Sequence, residues 1–120
     1  MRRALYIIIC VAAVCLFSAC GDRHTAISLA EDFIEANAAQ PEQIADRDFG
    51  KLGTTRLLSD STVERMRRQT SAFYKSGIVY PAYQQGDTLF FIRMNFTTQG
   101  DTLSQTFYFD SKLEHVVAVK

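Results

Sequence analysis

Leu89-Phe90-Phe91-Ile92-Arg93-Met94-Asn95-Phe96-Thr97-Thr98-Gln99-Gly100-Asp101-Thr102-Leu103-Ser104-Gln105-Thr106-Phe107-Tyr108-Phe109 is the stretch that decides the fold. Phe90, Ile92, Met94 and Phe96 alternate with Phe91, Arg93 and Asn95. Leu103, Gln105, Phe107 and Phe109 then alternate with Ser104, Thr106 and Tyr108. Side chains on a strand point to opposite faces in turn, so a period of two marks strands with one buried face. Between the runs stands Gln-Gly-Asp, where Gly tolerates positive φ and Asp bonds its own turn backbone, as hairpins require. The segment Gln85-Gly86-Asp87-Thr88-Leu89 repeats as Gln99-Gly100-Asp101-Thr102-Leu103 and marks an earlier turn, and Asp110-Ser111 offers a third. Leu113, His115, Val117 and Val119 continue the alternation. Four strands are therefore expected at 78–84, 88–98, 102–110 and 113–119, joined as an antiparallel meander. Pro81 places the first at an edge or at a bulge.

Upstream the period lengthens. Ile27, Ala30, Phe33, Ile34 and Ala38 recur at helical spacing over residues 24–39, with Leu29 widening the stripe and Pro41 ending it. Residues 42–58 are irregular, with Ile44, Phe49, Leu52, Leu57 and Leu58 as expected core contacts. A second helix is expected from Asp60 or Ser61. Ser61 and Glu64 have capping-box spacing, Val63, Met66, Thr70 and Phe73 mark its face, and Gly77 suits a left-handed C-terminal residue. The expected architecture is α+β: two N-terminal helices packed on a four-stranded antiparallel meander sheet, both covering its apolar face.

The start of the chain is of another kind. Arg2 and Arg3 precede an uncharged run from Ala4 to Phe17, and Ser18-Ala19-Cys20 closes it before Gly21-Asp22-Arg23 turns polar. A positive start, a short apolar run and small residues at the exit form a secretory leader. The run is shorter than the about 20 apolar residues of a membrane span. Cys10, Cys15 and Cys20 are all the cysteines of the chain, so a domain beginning at Cys20 holds neither an internal disulfide nor a thiol active site.

Phe17-Ser18-Ala19-Cys20 resembles the lipobox of bacterial lipoproteins, in which an aliphatic residue and two small ones precede the cysteine that receives the lipid. Ser18, Ala19 and Cys20 match, whereas Phe17 stands where Leu is usual. The resemblance implies cleavage between Ala19 and Cys20 and acylation of Cys20, including palmitate, with the membrane as partner through that lipid. Gly21, in place of the Asp that retains such proteins at the inner membrane, points to the outer membrane. The expected organisation is a leader over 1–19, a lipidated Cys and short tether over 20–25, and one domain over 26–120. The order of elements is also similar to cystatin-like and NTF2-like domains and to small outer-membrane lipoproteins that assist β-barrel assembly. The Gln-x-Val-x-Gly loop of cystatins is absent. Ser76-Gly77-Ile78-Val79-Tyr80 echoes a motif of periplasmic lysozyme inhibitors, but that family is an all-β barrel.

Charge and motifs exclude several functions. The whole chain balances 13 basic against 13 acidic residues, and removing Arg2 and Arg3 leaves a net charge of −2, which argues against nucleic acid as a partner. No zinc spacing, phosphate loop or nucleophile elbow occurs, and Asp87 and Asp101 offer one carboxylate per turn where calcium needs several oxygens. No cofactor is implied. His24 falls in the tether, and His115 falls on the last strand as a hydrogen-bonded residue rather than a ligand. Arg65, Arg67, Arg68 and Lys75 gather on the second helix, as a solvated face or a contact for anionic headgroups. Two functional readings follow. The first is a lipid-anchored, non-enzymatic binding or assembly module, favoured by Tyr74, Tyr80, Tyr83, Phe91 and Tyr108, which are either an open aromatic patch or residues covered by a loop. The second is an NTF2-like ligand or catalytic cavity between helices and sheet, where an acid–base site would sink a carboxylate into apolar surroundings. Glu114, Asp32 and Glu35 are its candidates.

Overall fold

The computed structural model describes residues 21–69 and 73–120. The leader, Ala19 and Cys20 lie outside the described residues, as does Thr70 of the expected helical face. Helix α1 occupies residues 21–37, so residues 21–25, expected as tether, are helical. A 3-10 turn follows at Pro41–Gln43. Strands β1 (Ala45–Phe49) and β2 (Gly53–Thr55) precede helix α2 (Asp60–Arg68). Strands β3 (Leu89–Thr98), β4 (Asp101–Phe109) and β5 (Val116–Val119) complete one antiparallel sheet. Its order is β1-β3-β4-β5, with β2 also paired to β3.

The class is α+β, with three departures from the expected arrangement. The sheet has five strands, because β1 and β2 form within the stretch expected to be irregular. They also place a pair of strands between the two helices. Finally, residues 78–84 form no strand. The physical reason is a competition for hydrogen-bonding edges. One edge of β3 is taken by β4 from Phe90 to Thr98. Along the other, β1 pairs with Met94–Thr97 and β2 with Leu89–Phe91. Neither edge of β3, the expected partner, is left for residues 78–84, and Pro81 has no N–H to offer. The two copies of the repeat therefore diverge. Gln99 (φ 49°) and Gly100 (φ 85°) are both left-handed, as a tight two-residue hairpin demands. Gly86 (φ 91°) turns the chain without joining two strands.

The sheet is covered on both faces, not one. Under α1, Ala26, Ala30, Ile34 and Ala38 are at most 1% exposed and meet Ile92, Met94, Phe96, Phe107 and Phe109, likewise buried. Alanine at three of these four positions lets helix and sheet approach closely. On the opposite face Val63 and Met66 of α2 pack on Leu89, Val117 and Ala118. A register shift between Tyr108 and Phe109 lets β5 serve both cores. Val116 and Val119 join the α1 side while Val117 and Ala118 join the α2 side, so all four residues are buried. Burial on both faces is the reason for the unbroken apolar run.

Details of α2 also differ. Its cap is Ser59, whose Oγ accepts the Thr62 N–H at 3.2 Å, rather than Ser61. The helix ends at Arg68, well before Gly77, which is left-handed (φ 80°) in a separate segment. Residues 73–75 instead bridge to the end of α1: Ala39 N–H donates to Phe73 O and Lys75 N–H to Asn37 O, both at 2.8 Å. Leu57, expected in the core, is 92% exposed.

Candidate functional surfaces

Gln105 is the sole buried polar residue among the described ones, and its Oε1 accepts the Tyr74 hydroxyl at 2.7 Å. Burial pushes the Tyr74 hydroxyl well above its ordinary pKa, aided by Tyr80 nearby. This pair is a satisfied core hydrogen bond, which a buried amide requires. Sequence reading placed Gln105 on an apolar alternation and Tyr74 among possible surface aromatics, but nothing in the sequence linked them.

The candidate carboxylates lie outside this core. Asp32, Glu35 and Glu114 are exposed, and Glu35 pairs with Arg47 at 3.5 Å. Asp32, Glu114 and His115 do come together. With Leu29, Phe33, Asn37, Val79, Pro81 and Val116 they line a shallow groove of about 270 Å³ between α1, the start of β5 and residues 79–81. Its walls are apolar and a carboxylate stands on each bank. Such a groove suits an apolar side chain with a cationic neighbour. Water reaches both carboxylates, so the groove lacks the dry surroundings that acid–base catalysis uses.

His115 is committed to its hairpin. Its Nδ1 lies 2.9 Å from Asp110 Oδ2, and Asp110 Oδ1 accepts the Glu114 N–H at 2.8 Å. Burial works to raise the Asp110 pKa, but those hydrogen bonds outweigh it and hold the carboxyl below its ordinary value. The carboxylate stabilises a tight turn in which Leu113 is left-handed (φ 52°). His24 is exposed on α1. Asp87 accepts the Gln84 N–H with Oδ2, a turn bond rather than a ligand position. No group of three or more His, Cys, Asp or Glu suited to a metal occurs among the described residues.

The basic cluster divides. Arg65 and Arg68 are exposed, whereas Arg67 is half-buried and works inside the fold. Its Nε–H donates to Val117 O at 3.0 Å and its Nη2–H to Pro81 O at 2.5 Å, and its guanidinium lies 5.0 Å from the Tyr80 ring centre. It thus pins residues 80–81 beside β5, whose outer edge no strand covers. Tyr83 adds a second tie through its hydroxyl to Leu58 O.

Of the two alternatives for the aromatic residues, the described structure favours cover over an open patch. Tyr74 is buried, and Tyr80, Tyr83, Phe91 and Tyr108 are half-buried. Tyr80 stacks on Phe33 at 6.1 Å, and Phe91 leans on Tyr108 at 6.2 Å. The large apolar side chains left exposed include Leu57, Val79 and Leu103, with Val79 93% exposed at the groove. No helix among the described residues is long and apolar enough to cross a membrane. Compared with protein families, curated proteins and solved structures, the chain matches none.

Proposed function

We propose that this chain is the precursor of a small lipid-anchored protein of the bacterial envelope, which acts as a non-enzymatic binding or assembly module. In this reading residues 1–19 are an export leader, Cys20 carries the lipid, and the outer membrane is the destination. The anchoring half rests on the leader pattern and on Ser18-Ala19-Cys20. Two or more acyl chains anchor firmly, since each buried CH₂ contributes about 0.8 kcal/mol.

The non-enzymatic half is supported above all by the filled interior. The α1–sheet interface is packed with Ala, Ile, Met and Phe and contains no buried carboxylate, His, Lys or Arg among the described residues. An NTF2-like cavity needs the opposite, an apolar pocket holding a polar group. Function then falls to the surface, where the groove beside Val79 offers an apolar contact for a partner.

Two experiments test the reading. Cys20→Ser is expected to move the protein from the membrane to the soluble fraction and to abolish incorporation of radioactive palmitate. Retention of both in the variant overturns the anchoring. Crosslinking in native envelopes is expected to recover a specific protein whose yield drops with Val79→Asp. Recovery unchanged by that substitution removes the groove as the contact.

A further inference from the structure

We propose that the corner of the domain around Gly50, carrying Arg23, Lys51 and Arg93, is its membrane-facing pole and rests on anionic phospholipid headgroups. The inference rests on the lipid anchor at Cys20 and adds the side of the domain that the anchor turns towards the bilayer. Chain length makes the first argument. Residue 21 is already helical, so no slack separates the anchor from the fold. Three residues lead from Cys20 to Arg23, about 4.5 Å as helix and about 10 Å fully extended. Arg23 is tied to the corner, its Nη2–H donating to Phe49 O at 2.9 Å and its Nε–H to Gly50 O at 3.1 Å. Gly50 N–H in turn donates to Arg93 O at 2.8 Å. The corner is thereby held close to the acylated residue, on the scale of the headgroup layer, which adds about 10–15 Å in all to a bilayer's hydrocarbon thickness.

A short link still leaves two poses, with α1 upright or lying flat. Charge separates them. The outer side of α1 exposes Asp22, Glu31, Asp32 and Glu35 and, among the described residues, offers no large apolar side chain for insertion. A flat α1 would press carboxylates against anionic lipid. The corner instead presents three exposed cations, Arg23, Lys51 and Arg93, beside Asp22 and Asp48. A cation near an anionic surface is attracted to it. The upright pose also turns the groove of Phe33 and Val79 away from the bilayer, because it adjoins the second half of α1.

The test uses the acylated full chain in vesicles of phosphatidylethanolamine and phosphatidylglycerol, with acylation first verified by mass. A fluorophore is placed at Lys51→Cys, Glu31→Cys or Lys75→Cys and quenched with headgroup-spin-labelled phospholipid. Lys75 bonds to Asn37 at the far end of α1, about 24 Å from residue 21 by helical rise. Quenching at position 51 is expected to exceed quenching at 75, and at 31 about 15 Å along the helix from residue 21, by about threefold or more. Equal or stronger quenching at 31 or 75 in the acylated chain overturns the orientation while leaving the anchor intact. Absence of the acyl mass overturns the anchor, and this inference with it.

Discussion

Arg67→Ala removes a side chain that joins three distant parts of the fold. The residue is 16% exposed at its side chain, donates to Val117 O on β5 and Pro81 O, and lies over the Tyr80 ring. A hydrogen bond from a charged donor contributes about 1.5–3 kcal/mol when buried. Both bonds are only part-buried, so the lower end applies to each. The ring contact adds about 0.5–1 kcal/mol. The Glu64 pair at 3.7 Å is too exposed to add measurably. Partial desolvation of the guanidinium offsets some of this, which leaves an expected loss of about 2–4 kcal/mol. Arg65→Ala, two residues away and exposed, should stay within about 0.5 kcal/mol of wild type. Urea unfolding of the Cys20→Ser chain supplies both values from the shift in midpoint at constant slope. Arg67→Met retains the aliphatic stem and separates packing from hydrogen bonding. Amide exchange should also accelerate at residues 78–83 before the sheet opens. The reasoning is refuted if Arg67→Ala and Arg65→Ala unfold at the same urea concentration.

Other substitutions probe independent features. A Cβ on Gly53 would stand 2.5 Å from Phe91 Cζ, because the ring lies over the glycine from the opposite register position. Gly53→Ala is therefore expected to cost about 1–3 kcal/mol in a melting experiment, and less when Phe91→Ala is also present. Asp110 has its folded pKa below its unfolded value of 3.8, so it contributes stability above that pH and loses it as pH falls through the folded pKa. Asp110→Asn should flatten the acid limb of the stability–pH curve, and an unchanged limb rejects the hairpin role. Tyr74 has its folded pKa raised above 10.0, so its folded state binds more protons at alkaline pH and stability should decline above about pH 10. Tyr74→Phe should lessen that decline, leaving the part due to Tyr83 and Tyr108, whose hydroxyls burial also pushes up, as followed by circular dichroism along an alkaline titration.

Parts of this fold were legible because their signals are local. The alternation of Phe90, Ile92, Met94 and Phe96 placed β3, and Gln99-Gly100 placed its hairpin. The helical spacing of Ile27, Ala30, Phe33, Ile34 and Ala38 placed α1, although its fully buried stripe starts at Ala26 and leaves Ile27 and Phe33 at the margin. β1 and β2 were not legible, since Ala45-Asp46-Arg47-Asp48-Phe49 and Gly53-Thr54-Thr55 carry few apolar residues. Their pairing depends on the free edge of β3, and Gly53 is tolerated because Phe91 closes over it. The segment from Ile78 to Tyr83 carries strand-like residues and no strand. Of the candidate surface, Asp32, Glu114 and His115 were each visible, but not their meeting at one groove.

The sequence by itself determined the periods, the tight β3–β4 turn, the absence of cysteine beyond residue 20 and the leader-like start, all properties of residues near one another in the chain. Tertiary structure decided which segments occupy the edges of β3, that α1 and α2 take opposite faces, and that Arg67 belongs to the fold rather than to a basic surface. An edge or a face can be used only once. Its occupant is settled by competition among distant segments, and no local window contains all the competitors.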